Sequence, residues 1–282
     1  MGSKEQNVTI TVGVLALQGA FNEHVQLLRQ AAGILATKDT VETGWTFKEV
    51  RTEVELSSCD GLIIPGGEST AISLVAQRSN MLEPLRDFVK VTRKPTWGTC
   101  AGLILLAESA NRTKKGGQEL IGGLDVRVNR NHFGRQTESF EAELYLSFLN
   151  QNGPGTRTDP FRAIFIRAPI VEKLLPTVPG VQEGEANVDD TVIAPSRDID
   201  ENVAKNFNVG DVEIMGTLPG RTFSIKDAGM KGKLESENGD IIAVRQANVF
   251  GTSFHPELTG DPRIHVWWLE QVAEAVKQRK KA

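Results

Sequence analysis

The chain has 282 residues, 39% apolar and 24% charged, with a formal net charge of -4. That balance is too apolar for a disordered chain, and it lacks the basic footprint of a nucleic-acid binder. No apolar run approaches the roughly 18 residues of a membrane span, the polar start from Met1 to Asn7 lacks a signal-peptide pattern, and two cysteines are too few for a disulfide framework or a cysteine-rich zinc site.

Neither nucleic acid nor membrane is therefore expected as a partner, and the expected address is cytoplasmic. The one basic cluster, Lys277 with Arg279, Lys280 and Lys281, reads as a solvated helix end.

Val8 to Leu17, VTITVGVLAL, predicts a buried parallel strand. After Gln18-Gly19, apolar residues at Phe21, Val25 and Leu28 predict a helix over 20–32. Residues 33–57 show weak periodicity. Asp60 to Pro65 is a second buried strand, and Gly66-Gly67-Glu68-Ser69-Thr70 leads from it into a helix over 71–77. A helix over 82–92, a strand over 94–98 and a helix over 101–108 follow. Strands alternating with helices predict an α/β fold with a parallel, doubly wound sheet.

The second half is richer in strands, expected at 124–129, 162–167, 191–194, 241–247 and 249–254. Residues 184–240 are polar and weakly patterned, and read as a surface excursion. Asp261 and Pro262 suit a helix start, and Ile264, Trp268, Val272 and Val276 form one apolar stripe. No repeat and no second core is evident, so residues 1–282 are read as one domain with insertions at about 33–57 and 184–240.

Gly98-Thr99-Cys100-Ala101-Gly102 lies between a strand and a helix. This is the cysteine form of a nucleophile elbow: the turn is tight, and flanking side chains would clash. A helix N-terminus favours negative charge on the sulfur, and the Ala101 N–H can face an oxyanion. Cys59 has no glycine frame and reads as a packing residue.

A thiol nucleophile needs a base and a group that orients it. Of the four histidines, His24, His132, His255 and His265, only His255 ends an expected strand, and Pro256-Glu257 follows. Residues two apart in an extended segment face the same way, so Glu257 can orient the His255 imidazole. His265 reads as structural, His132 as a loop residue. His24 beside Glu23 reads as a helix-surface pair, with a partner contact as the sharper alternative. The Pro65–Ser69 loop can offer backbone N–H groups to an anion. It lacks the lysine of a P-loop, and an oxyanion hole built from Gly67 and Ala101 suits Cys100 better.

GTCAG with a later HPE resembles the class I glutamine amidotransferases of the Cys-His-Glu type. Narrower strings are similar to one subfamily, the glutaminase subunits of pyridoxal 5′-phosphate synthase. These are VLALQGA with Glu23-His24, PGGEST, Arg130-Asn131 through FGRQ to Ser139-Phe140-Glu141, Ile166-Arg167-Ala168-Pro169, and HPEL. The resemblance spans Val14 to Leu258, and the long stretches at 33–57 and 184–240 look like a fungal-type member.

The resemblance implies a flavodoxin-like sheet with its site at the carboxyl edge. It implies that Cys100, His255 and Glu257 hydrolyse L-glutamine through a thioester, with no metal and no bound cofactor. Gly67, Glu68, Ser69, Arg130, Ile166 and Arg167 would hold the substrate. The implied partner is the synthase (lyase) subunit, which takes up the ammonia. Residue chemistry supports an arginine on the substrate carboxylate but leaves Arg130, Arg135 and Arg167 open. Three other readings share the cysteine: a glutaminase for another synthase, a catalytically silent subunit, and a hydrolase of γ-glutamyl peptides.

Overall fold

The computed structural model describes residues 9–38, 43–111, 118–130, 139–150, 159–178, 180–204, 207–218 and 239–281. The expected βα opening is present. Strand β1 (Thr9–Leu15) leads through a glycine turn into helix α1 (Phe21–Lys38), which runs six residues beyond the expected end. Within 33–57 lie the rest of α1, strand β2 (Gly44–Val50) and helix α2 (Glu53–Ser57). Thr52 and Glu55 cap α2 reciprocally, the pairing expected of a capping box. This stretch thus supplies an edge of the main sheet.

Strand β3 (Gly61–Ile64) passes into helix α3 (Ser69–Arg78), then helix α4 (Leu82–Arg86) with a wider π-helical turn through Val91. Strand β4 (Thr96–Thr99) and helix α5 (Ala101–Leu106) carry the elbow. The sequence expectation ran α5 to Glu108. Instead the chain becomes extended at Ala107 as strand β5 (Ala107–Asn111). The AESAN sequence favours helix by local propensity, and its pairing in the sheet overrides that preference.

Strand β6 (Leu124–Asn129) falls where expected. Strands β7 (Ser139–Leu144) and β8 (Phe161–Ile166) form a separate antiparallel hairpin, and strand β9 (Ile170–Leu174) returns to the main sheet. Neither β7 nor β9 was expected. The region read as an excursion holds helix α6 (Glu183–Ala186), strand β10 (Thr191–Ile193), helix α7 (Glu201–Ala204) and strand β11 (Glu213–Leu218). β10 pairs with β5, while Met215 and Leu218 of β11 are buried. β10 falls where a strand was expected at 191–194, whereas β11, set among polar residues, left little periodicity to read.

Strands β12 (Asp240–Gln246) and β13 (Val249–Thr252) precede helix α8 (Arg263–Lys281). The Arg263 N–H donates to the Asp261 carboxylate at 3.0 Å, and all four residues of the expected stripe are buried.

The main sheet has the order β10-β5-β6-β9-β12-β13-β4-β3-β1-β2, with β11 beside β12. From β2 to β13 every pairing is parallel, in the flavodoxin order. Beyond β13 the pairings are antiparallel except β5 with β6. β3 shows how the core divides. Leu62 and Ile64 face one layer with Ile72, Leu85 and Leu103, while Ile63 faces the other with Leu28, Trp97 and Trp268. Alternating sides of a strand thus bury both faces between helices.

Candidate active site

β3, β4 and β13 are parallel neighbours, so their carboxyl ends lie side by side. Gly66 and Gly67 follow β3, Cys100 follows β4, and His255 follows β13. Three stretches far apart in sequence meet at one sheet edge.

Cys100 has φ 48° and ψ -99°, a backbone state that non-glycine residues rarely occupy. Its N–H donates to the Thr252 carbonyl at 2.8 Å, fixing the elbow to β13. Both flanking glycines are required by close approach. A Cβ on Gly98 would lie 2.4 Å from the Gly102 backbone, and one on Gly102 would lie 2.1 Å from the Ile64 carbonyl oxygen. α5 can therefore sit directly on β3 and β4, and it brings Ala101 in as its first residue. N–H groups in a first turn have no acceptor within their own helix.

His255 is buried, and its backbone N–H donates to the Ile164 carbonyl at 2.8 Å. Its Nδ1 lies 2.7 Å from Glu257 Oε1, and its side chain also hydrogen-bonds Cys100. Burial alone would push this imidazole down. The bonds to Cys100 and Glu257 outweigh burial and raise it to about 10. That balance favours the protonated ring beside Cys100. Glu257 follows in a short 3-10 turn opened by Pro256, so the expected extended link is replaced by a tighter one with the same outcome.

The glycine loop packs closely on these groups. A Cβ on Gly66 would meet His255 Cε1 at 2.3 Å, and one on Gly67 would meet Gln18 Oε1 at 2.4 Å. The Gln18 amide oxygen accepts from the Glu68 N–H at 2.9 Å, and the Gly66 carbonyl accepts from the Ala20 N–H at 3.0 Å. The turn after β1 thus clamps the turn after β3. Glu68 caps α3, accepting from the N–H groups of Thr70 and Ala71 at 3.2 and 2.6 Å.

Arg130 is buried and donates to Ser69 Oγ at 2.8 Å and Thr70 Oγ1 at 3.1 Å. Its guanidinium stands 3.9 Å from the Glu68 carboxylate. Ile166 presents its carbonyl oxygen to Cys100 Sγ at 3.9 Å. Arg167 follows, exposed and at φ 46°. Every expected site residue that is described thus falls on or beside this edge. Arg135, His132 and the FGRQ string lie outside the described residues. Cys59 is buried away from the elbow, and burial pushes its thiol up to about 11.

One expectation about the histidines changes. His24 is fully buried, not a surface residue. Its position continues the inward face of Phe21, Val25 and Leu28, so the helical spacing had marked it, and only its polarity hid it. Its Nε2 lies 3.3 Å from Thr99 Oγ1 and 3.4 Å from Glu257 Oε2. Its Nδ1 lies 2.9 Å from Nε2 of His265, which is likewise fully buried. Gln18 was also missed as a site residue, although it lies in the VLALQGA string that carried the resemblance.

A cysteine at a strand–helix elbow beside a buried histidine, set on a flavodoxin-ordered sheet, is the arrangement of a cysteine-dependent enzyme. The SNO glutamine amidotransferase family matches residues 14–209 and 220–274, and the chain belongs to it. Among its relatives, a probable pyridoxal 5'-phosphate synthase subunit PDX2 of Arabidopsis thaliana is 37% identical over 270 residues, covering 94% of this chain and 87% of that one. A probable pyridoxal 5'-phosphate synthase subunit pdx2 of Dictyostelium discoideum is 34% identical over 276 residues, covering 95% and 94%. A solved glutamine amidotransferase superposes with a TM-score of 0.59 at 31% identity, covering 93% of this chain and 98% of that one.

Proposed function

We propose that this enzyme hydrolyses L-glutamine to L-glutamate and hands the ammonia to a pyridoxal 5'-phosphate synthase subunit, in the making of vitamin B6. One observation carries the chemistry: an imidazole held by Glu257 at 2.7 Å and hydrogen-bonded to the sulfur of an elbow cysteine. The names of the relatives support the choice of acceptor.

The Cys100 thiolate attacks the side-chain carboxamide carbon of glutamine. The carbonyl electrons move onto oxygen, which Gly67 and Ala101 N–H groups stabilise. The His255 imidazolium gives its proton to the departing nitrogen, ammonia leaves, and a γ-glutamyl thioester remains. Neutral His255 then takes a proton from water as that water attacks the thioester. Glutamate departs, and the thiolate and imidazolium are restored. Glu257 keeps the imidazole oriented and offsets its charge. Arg130, Ser69 and Glu68 hold the amino-acid head of the substrate, with Ile166 and Arg167 closing the pocket.

Ammonia released into water would protonate and disperse, which gives the acceptor subunit its purpose. The test is glutamine hydrolysis with and without the synthase subunit, for wild type and Cys100→Ala. Loss of turnover in Cys100→Ala is expected, and a wild-type rate in that variant refutes the mechanism.

A further inference from the structure

The site contains a buried pair of imidazoles for which the reaction above has no use. Glu257 engages His255 through Oε1 alone. Its Oε2 is sealed from solvent and has no aligned hydrogen bond, and a donor missing from a buried carboxylate oxygen is costly. The His24 imidazole stands nearest in the ion-pair geometry, with Nε2 at 3.4 Å.

The tautomers follow from the contacts. Burial, helped by His265 and His255, holds His24 well below its ordinary value, and burial holds His265 at about 3. Both rings are neutral, each with one N–H. If His24 carried its proton on Nδ1, its Nε2 lone pair would face a carboxylate, and the His265 proton would sit on Nδ1. That Nδ1 is buried with no partner. The reverse assignment removes the first penalty and leaves at His265 Nδ1 a bare lone pair in place of a stranded N–H. His265 donates from Nε2 to His24 Nδ1, and His24 turns its Nε2–H toward Glu257 and Thr99. The Trp97 ring fixes both imidazoles edge to face, with centroids at 5.5 and 4.9 Å.

We propose that His24, keyed by His265, is a positioning residue that holds the Glu257 carboxylate in line with the His255 imidazole. The proposal rests on the glutaminase reading of the site. A neutral donor suits this task. A cation at position 24 would compete with His255 for the same carboxylate, whereas a neutral N–H steadies the second oxygen and leaves the charge for His255. The titratable groups facing the pair are His255 and Glu257 beyond β13, and Asp261 ahead of α8.

The experiment is histidine-edited nitrogen NMR across pH, with steady-state kinetics on the complex with its synthase subunit. In wild type, His24 is expected as the Nε2–H tautomer, and His255 is expected to stay protonated toward about 10. His24→Leu removes the donor. It should lower the His255 midpoint by about one unit and kcat roughly tenfold with KM little changed, the loss expected for a hydrogen bond to a charged group. His24→Gln keeps an N–H at the end of the side chain and should restore most of both. A merely structural role would lower stability equally in both variants and leave the His255 midpoint in place.

The wild-type tautomer needs no variant. An Nδ1–H form of His24 overturns the proposal even if His24→Leu fails to fold. A wild-type His255 that titrates near 6.5 refutes the catalytic pairing itself. A His255 held high in wild type and unmoved in a folded His24→Leu refutes the positioning role alone.

Discussion

Acidification should weaken this fold through the two imidazoles packed on Trp97. His24 and His265 are fully buried and depressed below the ordinary value of 6.5, His265 to about 3. Below 6.5 the unfolded chain binds a proton at each ring, and the folded chain does not. Their contribution to stability is therefore full above 6.5 and is lost as pH falls toward the folded value. Between about pH 7.5 and about pH 5, His265 accounts for about 2 kcal/mol, and His24 acts in the same direction. Domains of this kind have roughly 5–15 kcal/mol in all.

His255 works the other way: raised to about 10, it gains stabilising weight as pH falls from about 7.5 through 6.5, and it is flat only well below 6.5, where it is charged in both states. Its share is full there and fades as pH rises through 10. Urea unfolding of wild type and His265→Leu at the two pH values isolates one ring from the carboxylate background. Wild type should lose about 2 kcal/mol more than the variant on acidification. Equal losses would refute the assignment of a buried neutral His265.

Three further outcomes follow from other parts of the molecule. Gly102→Ala would press a Cβ to within 2.1 Å of the Ile64 carbonyl, and it should cost about 2 kcal/mol or more of stability along with most activity; unfolding midpoints and turnover check both. The Cys59 thiol, pushed up to about 11 by burial, should resist iodoacetamide near pH 8 until urea opens the fold, which peptide mapping of the alkylated sites can follow. Lys90 and Glu108 form a buried ion pair at 2.7 Å, so Lys90→Met should cost about 3–5 kcal/mol by stranding a carboxylate. Adding Glu108→Leu should recover most of that loss, and strict additivity of the two single costs would refute the pairing.

The parallel half of the sheet was legible because its strands are buried on both faces and read as apolar runs. VTITVGVL and GLII carry that signature, and the glycines around Cys100 announced a close approach that the Gly98 and Gly102 contacts bear out. The antiparallel half was harder. β9 buries its first two residues and exposes the next three, and β11 meets β12 through register shifts, so neither offers a regular alternation; β10, though three residues long, falls where a strand was expected. β5 was misread because Ala107 and Glu108 are good helix formers whose fate is set by partners elsewhere in the sheet. That Cys100, His255 and Glu257 would meet at one place was readable from chemistry and local frame. The spacing marked the inward position of His24 while its polarity argued against burial, and what Gln18 does lies in what it faces across the fold.

The pairing of Gly98 with Gly251 makes the late-made strand a central one. Until β13 threads in between β4 and β12, the β2-β1-β3-β4 block cannot join the strands on the far side. Such distant pairing is slow to nucleate and leaves an open strand edge in the interim. A growing chain therefore carries its thiol for some 150 residues of synthesis before an imidazole arrives beside it. Closing the sheet and bringing His255 to Cys100 are a single event.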